Sequence, residues 1–420
     1  MELRNMTLAS LSVDGRGSYG IAASAVDRSD ELYTYLRITD IRDDGTLNMA
    51  DLKSVDDEKA SQYLLKPNDI VFARTGASTG RNYFYDGTDG EFVYAGFLIK
   101  FSIDPVKVNP QFIKYYCMSD AYKGWIHSYN TGSTRGNINA RTLGGMVIPV
   151  PPWQQQDGMV SILSALDAKI KNNIEINENL EEQARTVFKD WFIDYTPFDD
   201  PLVTTPAGFK APTSLKITRI ADIPHILETG RRPKGGAVTN GIPSIGAENV
   251  KELGKVNFSS VKFIPLDFAA KLKTGYVNGY ELMIYKDGGK PGTFIPHFSM
   301  FGEGFPYESF YINEHVFKLD FYDRGYNEFA YFYMQSDYPY HWLASNGGKA
   351  AVPGINQQDI NSIWIFSPEN PKVREFSEFV QPLFTHILQN CKQNVELANL
   401  RNQLLPKLMS GEIDLSTLDF

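Results

Sequence analysis

Cysteine is nearly absent from this chain. Cys117 and Cys391 are the two in 420 residues. They lie far apart and form no C-x-x-C pair, which sets aside a disulfide framework and a structural zinc site. Both read as reduced, packed thiols. No stretch approaches 18 apolar residues, so no membrane-spanning helix is expected. The N-terminus, MELRNMTLASLSVDG, lacks the cationic start and apolar run of a secretory signal. A cytoplasmic protein without membrane association is the expectation. An excess of basic residues is missing too. The net charge is −9 and the pI about 5.3, which taken alone argues against nucleic acid as a partner. The acids gather in DLKSVDDEK (Asp51–Lys59) and in EINENLEEQ, whereas Lys and Arg recur in glycine-rich loops.

Catalytic signatures are also scarce. There is no G-x-x-x-x-G-K-[ST] phosphate loop, no G-x-G-x-x-G after a strand, no H-E-x-x-H and no G-x-S-x-G. The six histidines are scattered. The [D/N/S]-P-P-[Y/F] tetrapeptide of amino-methyltransferases is missing; SPEN at Ser367 lacks the second proline and the aromatic. FGEGF at Phe301 reads as a turn. Asp40, Asp51 and Lys53 have the composition of a metal nuclease but lie in an acidic, solvated stretch. The chain does not read as an enzyme by itself, and neither a metal nor a cofactor is expected on it.

What is present is a repeat. A helix-length segment starts at Ser161 (SILSALDAKIKNNIEINENLEEQARTVFKDWFID), and a second starts at Phe379 (FVQPLFTHILQNCKQNVELANLRNQLLPKLMSGEID). A hydrophobic strand and prolines precede each, in MVIPVPPWQQQ and IWIFSPENPKV. DIVFARTGASTGR at Asp69 matches ELMIYKDGGKPGT at Glu281, an offset of 281 minus 69, or 212. Length and repeat together predict two globular domains and connectors. In the first, β-branched and aromatic runs (LYTYLRITDI, DIVFAR, FVYAGFLIKFSI, MVIPV) are separated by turn signals, and a short helix falls near Pro110–Ser119. In the second, IPSIGAENV, YELMIYK, ESFYINEHVFKLDF and NEFAYFYMQS repeat that order. Each globule ends in a Gly/Ser/Asn-rich loop, with Ile138-Asn139 and Ile355-Asn356 at equivalent places. Tyr195–Leu215, dense in Pro, Thr and Asp, reads as an extended boundary.

The long helices carry a heptad-like seam. In the first it runs through Leu163, Leu166, Ile170, Ile174, Asn177, Leu180, Ala184, Val187 and Trp191. In the second it runs through Phe376, Val380, Leu383, Ile387, Cys391, Asn394, Ala398, Arg401, Leu405 and Leu408. Asn177 and Asn394 are equivalent and read as register-setting polar residues. About 38 residues per helix corresponds to roughly 57 Å, or about 17 base pairs of duplex. Pseudo-twofold symmetry of this kind suits a twofold-like ligand such as duplex DNA.

The strings IPVPPWQQQDGMVSILSALDAKI and LRNQLLPKLMSGEIDL, with the P-P-x-x-x-Q lead-in and the L-P-K-L-x-S-G-E-I ending, resemble the specificity subunit of type I restriction–modification systems. The second lead-in departs from the pattern, with Pro368 and Pro371 where Pro151-Pro152-Trp153-Gln154-Gln155-Gln156 would repeat. The resemblance implies an α+β architecture. Two mixed α/β target-recognition domains (1–150 and 216–368) are joined by conserved helical regions (151–195 and 369–420) forming long antiparallel coiled-coil helices, with a linker at 196–215. It implies that each domain reads half of a bipartite site in double-stranded DNA and that the helices set the gap. It further implies docking of two copies of a modification subunit, which binds S-adenosylmethionine and methylates adenine, and of a motor and nuclease subunit for restriction.

Arg, Lys and Asn side chains reach base edges and phosphates, and glycines let backbone approach closely. The DNA-facing candidates in the first domain are Arg74, Thr75, Ser78, Thr79 and Arg81, then Ser133, Thr134, Arg135 and Asn137. In the second they are Lys286, Asp287, Lys290 and Thr293, then Asn346, Lys349 and Asn356. The other reading of Gly76, Gly80, Gly288 and Gly292 is a turn between core strands. Lys171, Glu175, Glu181, Gln183, Gln389, Gln393 and Arg401 are either a docking face for the modification subunit or a solvated one. Two other functions compete: an adaptor that assembles proteins on a coiled-coil spacer, and a stand-alone methyltransferase with degenerate motifs.

Overall fold

The computed structural model describes residues 2–130, 137–349 and 352–415. The chain divides into two compact units, Met1–Ala168 with Ala398–Phe420, and Lys169–Leu397. It passes from one to the other inside two helices of 40 residues each, Trp153–Phe192 and Pro371–Ser410.

In the first unit, strand Asp69–Ala73 is buried throughout. Alternate side chains point to opposite faces of a strand, and both faces here are covered. Ile70 and Phe72 join one apolar cluster, Val71 and Ala73 another. This explains the unbroken apolar run DIVFA. The strand sits inside an antiparallel sheet ordered Ser18–Tyr19, Leu98–Ser102, Asp69–Ala73, Asn82–Tyr85. A second sheet pairs Tyr33–Leu36 in parallel with Phe92–Tyr94. Arg4–Thr7 closes the unit against Val147–Val150.

The second unit repeats the four-stranded sheet and the closing pair, and its second sheet has three strands where the first unit has four. Its central sheet is ordered Ile226–Thr229, Val316–Asp320, Leu282–Tyr285, Phe298–Met300. Ile242–Ile245 pairs in parallel with Tyr311–Ile312, and Ile217–Arg219 closes against Trp364–Phe366. The repeat extends to buried polar groups. Asp69 accepts from Lys100 Nζ at 3.0 Å and from the Lys66 amide at 2.8 Å. Glu281 accepts from the Gly279 amide at 2.7 Å and lies 3.9 Å from Lys318 Nζ, which also pairs with Glu228 at 3.0 Å. A glycine follows one edge strand of each main sheet, Ser18–Tyr19 and Ile226–Thr229, because the backbones touch there. A Cβ on Gly20 would stand 2.2 Å from the Tyr94 carbonyl oxygen, and one on Gly230 would stand 1.6 Å from that of Ile312.

Two expectations are corrected. The boundary Tyr195–Leu215 is not simply extended. Leu202–Thr204 and Lys210–Pro212 form an antiparallel hairpin, and Ala211 and Leu215 are buried in the second unit's core. The seam of the first long helix also shifts. Ile174 is exposed, while Asn173, Phe188 and Phe192 are buried. Ala184, Phe188 and Phe192 step by four residues, which suits packing on a globular core more than a strict heptad stripe.

Near the first unit's end of the helices, Asp167 accepts from Lys114 Nζ at 2.9 Å, the Tyr115 hydroxyl at 2.9 Å and Arg401 Nη1 at 2.8 Å. Arg401 therefore turns inward and is not part of an open docking face. Burial opposes ionisation of Asp167, but Lys114 and Arg401 outweigh it and hold the carboxyl below its ordinary pKa. Its stabilising contribution is present at neutral pH and is lost as pH falls through that depressed value. Asp167→Ala is expected to cost about 2–4 kcal/mol, because it strands a largely buried guanidinium. Urea unfolding at pH 7 measures this; a loss under about 0.5 kcal/mol would reject it.

Candidate nucleic-acid interface

Each unit brings a basic residue to the end of an inner strand of its main sheet. In the first this is Arg74, directly after Asp69–Ala73. Its amide donates to the Phe97 carbonyl at 3.0 Å, and its own carbonyl accepts from the Ile138 amide at 2.9 Å. Thr75 bridges Asn137. The Arg74 guanidinium lies over the Tyr19 ring, 4.9 Å from the centroid. Its Nη2 reaches Asn137 Oδ1 at 3.5 Å, and its Nε is buried without a partner. Arg74, Thr75 and Asn137 are thus brought together at the surface.

The other first-unit candidates divide. Ser78 and Thr79 are buried, and Thr79 Oγ1 donates to the Gly76 carbonyl at 2.7 Å. The Thr79 hydroxyl closes the loop, and neither side chain lines the surface. Position 80 requires glycine, since its φ is +89° and a Cβ there would stand 2.5 Å from Ile126. Arg81 is tied to Asp43 at 2.6 Å and to the Ile41 carbonyl at 3.2 Å. Ser133, Thr134 and Arg135 lie outside the described residues.

In the second unit Lys286 occupies the equivalent strand end. Its carbonyl accepts from the Ile355 amide at 2.8 Å, matching the Arg74–Ile138 bond. Its ammonium, however, folds back to the Glu314 carbonyl at 2.9 Å and to Asp287 at 3.4 Å. Asp287 also contacts His315 Nδ1 at 2.5 Å, and Arg232 pairs with Glu314 at 2.7 Å. Lys290 and Thr293 are exposed on the following loop. Lys349 Nζ donates to Asn346 Oδ1 at 2.7 Å. Asn356 is occupied differently: its side chain caps helix Gln357–Asn361 by accepting from the Gln358 and Asp359 amides. Asn139 caps helix Ala140–Gly144 in the same way.

The sequence reading missed the loop Arg231-Arg232-Pro233-Lys234, which follows Gly230 and exposes three cations; Arg232 pairs with Glu314, the residue whose carbonyl holds Lys286. The signal was available, as a basic run in an acidic chain. It also missed Tyr19 and Phe97, both exposed beside Arg74.

The register residues sit among more asparagines than expected. Asn173 Nδ2 donates to Asn394 Oδ1 at 2.8 Å, and Asn390 Nδ2 donates to Asn177 Oδ1 at 2.9 Å. Asn177 also donates to the Ile387 carbonyl at 3.2 Å. The repeat offset of 217 (390 minus 173, 394 minus 177) exchanges the two pairs. Asn177 and Asn394 therefore do not pair with each other; each pairs with the image of the other's partner. Gln393 accepts from Asn173 at 2.8 Å, and Glu181 holds Arg185 at 2.8 Å, so both make contacts within the second unit.

Burial raises both thiols, that of Cys391 to about 12. Among the described residues, no three His, Cys, Asp or Glu side chains gather as a metal site, and no helix is long and apolar enough to cross a membrane.

Comparison with known proteins places this architecture. Residues 22–182 match the family described as type I restriction modification DNA specificity domain. The type I restriction enzyme MjaIX specificity subunit of Methanocaldococcus jannaschii is 26% identical over 322 residues, 73% of this chain and 70% of that one. The type I restriction enzyme HindI specificity subunit of Haemophilus influenzae is 21% identical over 411 residues, covering 83% and 87%. The crystal structure of the type I restriction–modification system S subunit from M. genitalium superposes with a TM-score of 0.55 at 16% identity, covering 97% of this chain and 96% of that one. That last likeness concerns the fold. The family match spans most of the first unit and runs on into the first long helix. In sequence and in fold the chain is thus similar to specificity subunits of type I restriction–modification systems.

Proposed function

We propose that this chain is the non-catalytic DNA-recognition subunit of a type I restriction–modification complex. Each unit reads one half of a bipartite site in duplex DNA, and the paired helices set the gap between halves. The observation that carries this reading is the repeat itself: two units of matching topology each place a basic residue at the same strand end. The helices, 40 residues each, span about 60 Å. Two modification subunits dock on the helical regions, bind S-adenosylmethionine and methylate adenine, and a motor and nuclease subunit joins for restriction. The acidic balance is compatible with this, since Arg74 carries no carboxylate partner among the described residues and Arg231, Arg232 and Lys234 are exposed on one loop, while partners share the phosphate contacts.

The test is co-expression with the modification subunit of the same system, followed by sequencing of host DNA with methylation detection. A split motif carrying methyladenine, present only with this chain, supports the reading. A well-formed complex that adds no methylation favours the adaptor alternative.

The spacer role has its own expected outcome. One heptad inserted into both helices, after Ile170 and after Leu397, should lengthen the gap by about 3 base pairs, since seven residues add roughly 10 Å. Each half-site should stay unchanged. Altered half-site bases with an unaltered gap would sink the spacer idea.

A further inference from the structure

We propose that Arg74 reads a guanine, through its O6 and N7 in the major groove, in the half-site addressed by the first unit. The proposal rests on the DNA-recognition reading and deepens it.

Arg74 is held at every level. Its backbone is pinned on both sides, by the bond to the Phe97 carbonyl at 3.0 Å and the bond from the Ile138 amide at 2.9 Å. Its guanidinium is seated on the Tyr19 ring at 4.9 Å, and Asn137 Oδ1 holds Nη2 at 3.5 Å in a solvent-exposed contact. The buried Nε turns toward the protein, which leaves the terminal nitrogens as the outward donors.

No carboxylate pairs with Arg74 among the described residues, whereas Arg37 and Arg81 of the same unit are tied to Asp40 and Asp43. In the second unit the equivalent Lys286 is likewise neutralised by Asp287. Arg74 is therefore a charge left open in an acidic chain. Its frame is aromatic and exposed, with Tyr19 at 42% and Phe97 at 61%.

A phosphate needs only a nearby cation, and a mobile lysine serves. A planar fork locked in one orientation instead matches two acceptors at fixed spacing, and guanine presents that pair in the major groove. Exposed apolar rims suit base edges better than phosphates. The second unit, with Arg231, Arg232 and Lys234 on a loop, presents a different surface, so the two half-sites are read by different chemistry.

The test uses the full complex with the modification subunit and duplexes carrying its split site. Each guanine is replaced in turn by 7-deazaguanine, which removes the N7 acceptor. One replacement, in one half-site only, should weaken wild-type binding about tenfold to a hundredfold. In R74A and R74K complexes the native duplex should bind weakly by a similar factor, and that same replacement should add no further loss. R74K keeps the charge, so its loss separates the fork from a phosphate contact. The proposal is overturned if wild-type complex tolerates every replacement, or if the sensitive guanine stays equally sensitive in both variants. A wild-type complex that selects no sequence at all overturns both this proposal and the reading beneath it.

Discussion

Replacing Phe376 by alanine is expected to destabilise the second unit by about 3–5 kcal/mol. Phe376 is fully buried. Its ring lies 5.6 Å from those of Phe188 and Phe192, 6.0 Å from Phe329 and 5.9 Å from Phe332. These rings come from both long helices and from helix Arg324–Tyr333. Rigid aromatic neighbours on several sides cannot collapse into the vacated volume, so the cavity term adds to the lost transfer energy. The comparison is Phe379→Ala on the same helix. Phe379 is 37% exposed and its loss should cost under about 1 kcal/mol. Urea unfolding of both variants decides the matter. Equal losses would mean that the ring cluster does not anchor the helix.

Glu328→Gln should stabilise the protein, and by an amount that grows with pH. Glu328 is fully buried in helix Arg324–Tyr333. One carboxyl oxygen accepts from Arg324 Nε at 3.2 Å and the other has no partner. Arg324 is shared with the Gln381 carbonyl, the Thr385 hydroxyl and the Tyr280 ring. Burial therefore prevails over the attraction of Arg324 and raises the carboxyl from its ordinary 4.5 to about 8. The sign follows from proton counting. Between these values the folded chain holds a proton that the unfolded chain has released, so stability falls as pH rises. At about 1.4 kcal/mol per unit the window sums to about 4–5 kcal/mol. Glutamine keeps the shape and removes the titration. Wild type and E328Q should be nearly equally stable at pH 4.5 and should diverge steadily to pH 8. Parallel stability curves across that range would show that Glu328 is ionised in the folded protein.

The legible parts of the sequence were those governed by local periodicity and by repetition. DIVFA and LMIY announce strands covered on both faces, and the 212 offset announces that two such strands hold the same place. The capping asparagines Asn139 and Asn356 stand at equivalent positions for a local reason, since each satisfies the free amides of a helix start. Ser78 and Thr79 could not be placed from sequence. Whether a hydroxyl in a short glycine loop faces solvent is set by what lies beneath it, and Ile126 is distant in the chain. The same holds for the first helix seam, where Phe188 and Phe192 displace Val187 and Trp191. A heptad template assumes one partner helix, whereas these side chains also meet the strand-and-helix core of the second unit.

By itself the sequence determined the duplication, the long helices, the family resemblance and the absence of recognisable catalytic motifs. Composition, period and offset are properties of neighbours along the chain, and they survive without coordinates. Only the tertiary structure decided which asparagines pair across the helices, that Arg401 turns inward to Asp167, and that Arg74 stays open while Lys286 is neutralised. Those outcomes depend on contacts between residues far apart in sequence. They are set by burial and by which charges are left within reach of one another, and no local pattern records either.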